Sequence, residues 1–156
     1  MIEIFTDGAC LGNPGVGGVG YLVRKNNQET TFQQGYFLTT NNRMELLAVI
    51  LSLKSLTEED KNDNITVTTD SIYVKNGITN WIKKWKSNNW KSSTGKVKNQ
   101  DLWKELNQLN SQYNIDWQWT KGHAGHRENE ICDKLSTSIC KTPTLSDVVY
   151  ELENKQ

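Results

Sequence analysis

The 156 residues fit one compact domain and suffice to bury a core. Eighteen Lys and Arg balance eighteen Asp and Glu, and the pI is about 6.7, so any sign of nucleic-acid binding must be local rather than global. A mean hydropathy of -0.68, no apolar run near the roughly 20 residues of a membrane helix and no basic-then-apolar leader exclude a spanning helix and a secretory signal, while three cysteines without metal-ligand spacing exclude a disulfide framework and a zinc site and point to a reducing cytoplasm.

In chain order, residues 2–7 predict a strand, and the glycine-rich stretch from Gly8 leads into a second strand through Val19, Tyr21 and Val23. Asn26-Asn27 marks a turn, and residues 29–38 predict a third strand, giving an antiparallel meander. Residues 42–56 predict a helix, with Leu47, Ala48 and Leu51 at helical spacing. Residues 65–70 predict a fourth strand, and Ser71 stands as N-cap of a short helix that Gly77 ends. Ile78, Trp81, Ile82 and Trp85 predict a further helix, residues 87–98 show no period, and Leu102, Trp103, Leu106 and Leu109 predict another. Ile115, Trp117 and Trp119 alternate as a fifth strand, and Ile131, Leu135 and Ile139 predict the last helix. Patterning weakens from Thr142, where a loosely docked tail is expected. The order implies an α/β domain: a mixed five-stranded sheet, three antiparallel strands and then parallel ones, with helices on both faces.

Four acids stand where their surroundings do not otherwise want them. Asp7 and Asp70 close β-branched or aromatic runs, Glu45 sits in an apolar helical run, and Asp133 lies near the start of the last helix. Taken singly, each has an ordinary explanation as a turn aspartate, a surface glutamate or a solvated helix face. Taken together they point to one purpose. Carboxylates gathered at low dielectric repel one another and require cations, and hard oxygen donors match Mg²⁺ or Mn²⁺. Two such ions about 3.5–4 Å apart can clamp an in-line phosphoryl displacement.

Other segments fit a phosphate-bearing polymer. Residues 81–98 hold six lysines and no acid, interleaved with Trp81, Trp85 and Trp90. Lysines neutralise phosphates, and indoles offer flat faces to sugars and bases. The ordinary reading is a solvated helix whose tryptophans are partly core, and Trp81 and Trp85 are read as serving both purposes. His123, flanked by Gly122 and by Ala124-Gly125, reads as an imidazole that carries a proton, and His126 as a local structural residue at the helix start. The loops around Asn13 and Asn41-Asn42 can bond minor-groove edges and 2′-hydroxyls, although on the residues alone plain turn chemistry is the better explanation.

Phe5-Thr6-Asp7-Gly8, Gly12-Asn13-Pro14-Gly15, Thr40 to Glu45, Thr69-Asp70-Ser71, Gly77 to Trp81, and Lys121 to His126 leading to Asp133 occur here in one order. In this the chain resembles type 1, bacterial-type ribonuclease H, from Ile4 to about Leu145. The resemblance implies a ribonuclease H-like fold, a catalytic domain over residues 1–142 and a tail over 143–156. It implies an endonuclease that cuts the RNA strand of RNA–DNA hybrids with two Mg²⁺ ions, Mn²⁺ being a possible substitute, and leaves 5′-phosphate and 3′-hydroxyl ends. Asp7, Glu45, Asp70 and Asp133 fall on the family's catalytic, metal-binding acids, and His123 on its mobile histidine. Cys10, Asn13, Asn41 and Asn42 match minor-groove contacts, Thr40 and Asn99 a DNA-phosphate pocket, and Tyr73, Trp81 and Trp85 a DNA-strand channel.

One departure stands out. Ile72 replaces a polar residue of the family's best-known bacterial members, and Tyr73 beside it is the expected substitute. No N-terminal hybrid-binding module, no membrane and no obligate protein partner are expected, and the chain is expected to be a cytoplasmic monomer. Two rival readings are a hybrid-binding protein without catalysis and a transposase-like DNA nuclease of the same fold. The first has no use for four acids, and the second needs further DNA-binding domains.

Overall fold

The computed structural model describes residues 1–121 and 126–155. Three strands form the meander: β1 (Ile2–Leu11), β2 (Gly15–Lys25) and β3 (Gln28–Thr39). Helix α1 (Asn41–Lys54) follows, capped by the Thr40 hydroxyl, which accepts from the Arg43 N–H. A short 3₁₀ turn (Glu59–Asn62) leads to β4 (Asn64–Thr69). Next come α2 (Ile72–Asn76), a π turn (Gly77–Trp81), α3 (Ile82–Ser87) and a small hairpin of β5 (Lys91–Ser92) with β6 (Gly95–Lys96). Helix α4 (Gln100–Gln112), strand β7 (Asn114–Trp119), α5 (Arg127–Ile139) and α6 (Val148–Glu153) complete the order.

The main sheet runs β3-β2-β1-β4-β7. β1, β2 and β3 pair antiparallel, whereas β4 lies parallel to β1, and β7 parallel to β4. Parallel neighbours require crossovers, which the helices supply. Gly17 on β2 faces Thr39 and Met44, while the next residue, Gly18, faces Ser136 and Ile139, so α1 and α5 lie on opposite faces of the sheet. The larger core, on the α1 side, joins Ile4, Val67, Val49 and Ile50 to Trp103 and Leu106 of α4. A smaller one, under α5, joins Phe5, Leu22 and Cys132.

Several elements differ from the expectation. β1 does not stop at Asp7: it pairs with β2 as far as Leu11, because antiparallel pairing continues after the parallel partner β4 has left. α1 buries Met44, Leu46, Val49, Ile50 and Leu53, while Leu47 and Leu51 are only partly buried. A helix apolar nearly all round, wedged between sheet and α4, has no single face for periodicity to find. Ser71 does cap α2, its hydroxyl accepting from the Val74 N–H at 3.1 Å. Gly77 does close α2, but without breaking the helical path. Its φ is -65°, and the chain turns on through a π turn into α3. A Cβ at Gly77 would lie 1.9 Å from the Trp103 ring, so packing selects glycine there.

The tail is not loosely docked. Leu145 bridges β3 at Tyr36, and the Phe37 N–H donates to the Leu145 carbonyl at 2.9 Å. The buried Asp147 accepts from the Thr39 hydroxyl (2.6 Å) and from Arg43 Nε (2.7 Å) and Nη2 (3.0 Å). Nothing apolar and periodic announces this anchor, because a buried ion pair carries it.

Candidate active site

The last paired positions between β1 and β4 are Phe5 and Thr68. Asp7 and Asp70 each stand two residues further on, where the two strands part. This is the crevice beyond parallel strand ends in which open α/β sheets gather ligands. Glu45 joins them from α1, whose backbone approaches β1 so closely that a Cβ at Gly8 would lie 2.4 Å from the Glu45 nitrogen. The same Gly8 N–H donates to Asp7 Oδ1 (2.9 Å) and Glu45 Oε1 (2.7 Å). One oxygen from each of Asp7, Glu45 and Asp70 lies within 4.8 Å of the others. The Asp70 carbonyl also accepts the Trp119 indole N–H at 3.2 Å, tying this corner to β7.

Asp133 comes from the opposite face. The buried Cys132 thiol donates to the Phe5 carbonyl at 3.3 Å, and Arg24 on β2 pairs with Glu128 at 3.1 Å, so α5 is pinned to the sheet beside Asp7. Asp133 is half-buried and near enough to raise the Asp7 pKa. Burial, with Asp7 the next influence, pushes the Cys132 thiol up to about 12, which keeps it protonated. His126 caps α5, its Nδ1 accepting from the Asn129 N–H at 3.4 Å, and its ring packs on Phe5. His123 lies outside the described residues.

The electrostatics are those of crowded acids. Asp7 is pushed up to about 8, first by burial, then by Asp70 and Asp133. Glu45 is raised well above the usual carboxylate range by burial, then by Asp7 and Asp70. The Gly8 N–H opposes both shifts. Three hard oxygen donors from three elements, each raised or raising its neighbours, fit a divalent cation that would replace the protons.

The remaining candidates fall into two groups. Around the β1–β2 turn, Cys10 Sγ donates to the Gly12 carbonyl, and Asn13 Oδ1 accepts from the Asn41 N–H at 3.1 Å. Asn13, Thr40, Asn42 and Asn99 line one cavity of about 680 Å³, beside the acids rather than over them. The second group is aromatic. Tyr73, Trp81 and Trp85 pack about the fully buried Trp103, with ring centroids 5.3, 6.5 and 5.5 Å from it. Tyr73 joins the groups: its hydroxyl accepts from Trp103 Nε1 (2.9 Å) and Asn99 Nδ2 (3.1 Å), while Arg43 Nη1 donates to Asn99 Oδ1 at 3.3 Å. Tyr73 thus turns its hydroxyl toward Trp103 and Asn99, while Ile72 beside it is 59% exposed.

Sequence reading missed Gly8, Arg43, Trp103 and Asp147 as parts of this assembly. Gly8 reads as a turn glycine, Trp103 as plain core and Asp147 as tail. Only Arg43, an arginine inside an apolar helical run, carried a signal.

Residues 1–141 match the RNase H family profile. Ribonuclease HI of Pasteurella multocida (strain Pm70) is 59% identical over 154 residues, covering 98% of each chain. Ribonuclease HI of Haemophilus influenzae (strain Rd) is 59% identical over 151 residues, covering 96% of each. Among solved structures, LC9-RNase H1, described as a type 1 RNase H with the type 2 active-site motif, superposes with a TM-score of 0.80 at 29% identity, over 99% of this chain and 81% of the other. LC11-RNase H1, solved in complex with an RNA/DNA hybrid, shares the fold at 17% identity with a TM-score of 0.68, over 90% of this chain and 97% of the other. The family match and these close relatives make the chain a nuclease, a hydrolase. The chain belongs to the ribonuclease H family.

Proposed function

We propose that this chain is an endoribonuclease that hydrolyses the RNA strand of RNA–DNA hybrids by a two-metal mechanism and leaves 5′-phosphate and 3′-hydroxyl ends. The observation that carries the reading is the meeting of Asp7, Glu45 and Asp70 within 4.8 Å, with Asp133 close by. These four acids would hold Mg²⁺, with Mn²⁺ as substitute, and the bound metal supplies charge neutralisation at the phosphate and a more acidic water.

The chain's own residues account for the rest. The Gly8 N–H orients the Asp7 and Glu45 carboxylates, so that both present oxygens to one point. Cys10, Asn13, Asn41 and Asn42, on the turn and the start of α1, face the RNA strand, where 2′-hydroxyls distinguish it from DNA. Thr40 and Asn99 take a phosphate of the DNA strand, and Tyr73, Trp81 and Trp85 flank that strand's path. His123 carries a proton to or from the cut site.

The catalytic unit spans residues 1–142, and residues 143–156 form its C-terminal tail. The chain works as a monomer in the cytoplasm, with no membrane and no obligate protein partner. Among the described residues no helix is long and apolar enough to cross a membrane, and the three cysteines are unpaired.

The test is turnover of a labelled hybrid by wild type and by Asp7→Asn, with Mg²⁺ and with chelator. Loss of roughly two or more orders of magnitude in kcat for Asp7→Asn, and arrest of wild type by chelator, are expected. Full turnover by Asp7→Asn contradicts the carboxylate role. Cleavage that persists in chelator contradicts the metal.

A further inference from the structure

The cavity lined by Thr40, Asn42 and Asn99 has another wall. Tyr150, Glu153 and Asn154, on and just after α6, line the same 680 Å³. The charges around it are uneven. Lys96 and Lys98 approach from the hairpin side, and Glu153 is the one acid among the described residues lining it. Glu153 does not stand apart: Lys96 Nζ donates to its Oε1 at 3.1 Å. Both side chains remain in water, 67% and 49% exposed, so the pair is not there to complete a core.

The placement of Glu153 is built in. Asp147, immediately before α6, is buried on Arg43 and Thr39, and the Glu151 N–H donates to its carbonyl at 2.9 Å. Arg43 and Thr39 belong to the end of β3 and the start of α1, next to Thr40 and Asn42. The anchor that fixes the tail therefore fixes an acid against the rim of the candidate strand site. A phosphate reaching Lys96 must displace Glu153 or share the lysine with it.

We propose that α6 forms one wall of the nucleic-acid groove, and that Glu153 is an intramolecular counter-charge competing with a strand phosphate for Lys96. The inference rests on the hybrid-binding reading above. It makes the tail a determinant of affinity: Glu153 weakens the grip of the hairpin side and makes it less dependent on salt. An exposed ion pair of this kind contributes up to about 1 kcal/mol, which corresponds to about a fivefold change in affinity at most.

The experiment is a double-mutant cycle on the full chain, reading equilibrium binding of a short RNA–DNA hybrid in chelator, so that nothing is cut, over a series of salt concentrations. Glu153→Gln is expected to tighten binding about twofold to fivefold at low salt. It is also expected to steepen the slope of log K against log salt by about 0.9, one further phosphate contact. In a Lys96→Gln background the same change should shift affinity by less than about 1.5-fold and leave the slope alone. Since both side chains are exposed, thermal melting of the four proteins should agree within about 4 °C. Equal effects of Glu153→Gln in both backgrounds, or none in either, overturn the proposal while leaving the hybrid reading intact. Failure of all four proteins, wild type included, to bind the hybrid overturns the reading itself and the proposal with it.

Discussion

Asp7 and Glu45 stand at the meeting of β1 and α1 with their pKa values pushed up first by burial, then by neighbouring acids: Asp70 and Asp133 for Asp7, Asp7 and Asp70 for Glu45. This has a sign that can be checked on the metal-free protein. An unfolded Asp7 loses its proton near the ordinary 3.8, and the folded one near 8. Between those values the folded state holds more protons than the unfolded state, so stability falls as pH rises through the window. Chemical denaturation in chelator should show that decline between about pH 4 and 8. Asp7→Asn should flatten it and raise stability at pH 7.5. Divalent metal should stabilise wild type more at pH 8 than at pH 5, because it binds the deprotonated acids. A stability that rises across the window in chelator contradicts the clustering of protonated acids. The sequence showed these acids as out of place, since each interrupts an apolar or β-branched run. It did not show Gly8, because an Asp-Gly pair reads as a turn, whereas here the strand runs on and the missing side chain lets α1 close in.

Among the elements, the run from α2 to α4 is where local patterning and tertiary packing diverge most. Periodicity put Trp81 and Trp85 on one helix, whereas Trp81 closes the π turn and Trp85 lies on α3; Gly77 closes α2 as expected, but not as a left-handed stop. The packing of Trp103 selects the glycine there. Gly77→Ala should therefore destabilise, although alanine is the better helix former. The added Cβ meets a fully buried indole, and overpacking of that kind costs about 1–3 kcal/mol. Thermal melting checks it, and an unchanged or raised Tm contradicts the packing account. The expected side effect is a disturbed Asn99, because the Tyr73 hydroxyl links Trp103 to Asn99. The β5–β6 hairpin was not legible at all. Two-residue strands carry no period, and the segment's lysines read as a basic patch for phosphates without any sign of a hairpin.

For the whole molecule, the mixed five-stranded sheet and the split of helices between two faces followed from the order of predicted strands and helices, whereas the strand order β3-β2-β1-β4-β7 did not. The tail did not, because its hold on the domain is a buried charge rather than an apolar stripe. Arg43 is 2% exposed, and joins Asp147 on one side and Asp101 on the other, binding α1, α4 and the C-terminal segment together. Asp147→Asn should cost about 3 kcal/mol, toward the low end for a broken buried pair because Asp101 remains. That corresponds to a fall in Tm of roughly 6–12 °C. A loss under about 0.5 kcal/mol would mean that the tail is not held by this pair.

The same frame sets the acids on the open side of the parting strands, with the asparagine turn, the 680 Å³ cavity and the aromatic cluster arranged around them. The most direct test of that arrangement is a cleavage assay with Mg²⁺ on an RNA–DNA hybrid labelled on one strand at a time, beside duplex DNA and duplex RNA of the same sequence. Cutting confined to the RNA strand of the hybrid, leaving 5′-phosphate ends, is the predicted result. Cutting of the DNA strand, or of either duplex at a comparable rate, would contradict it.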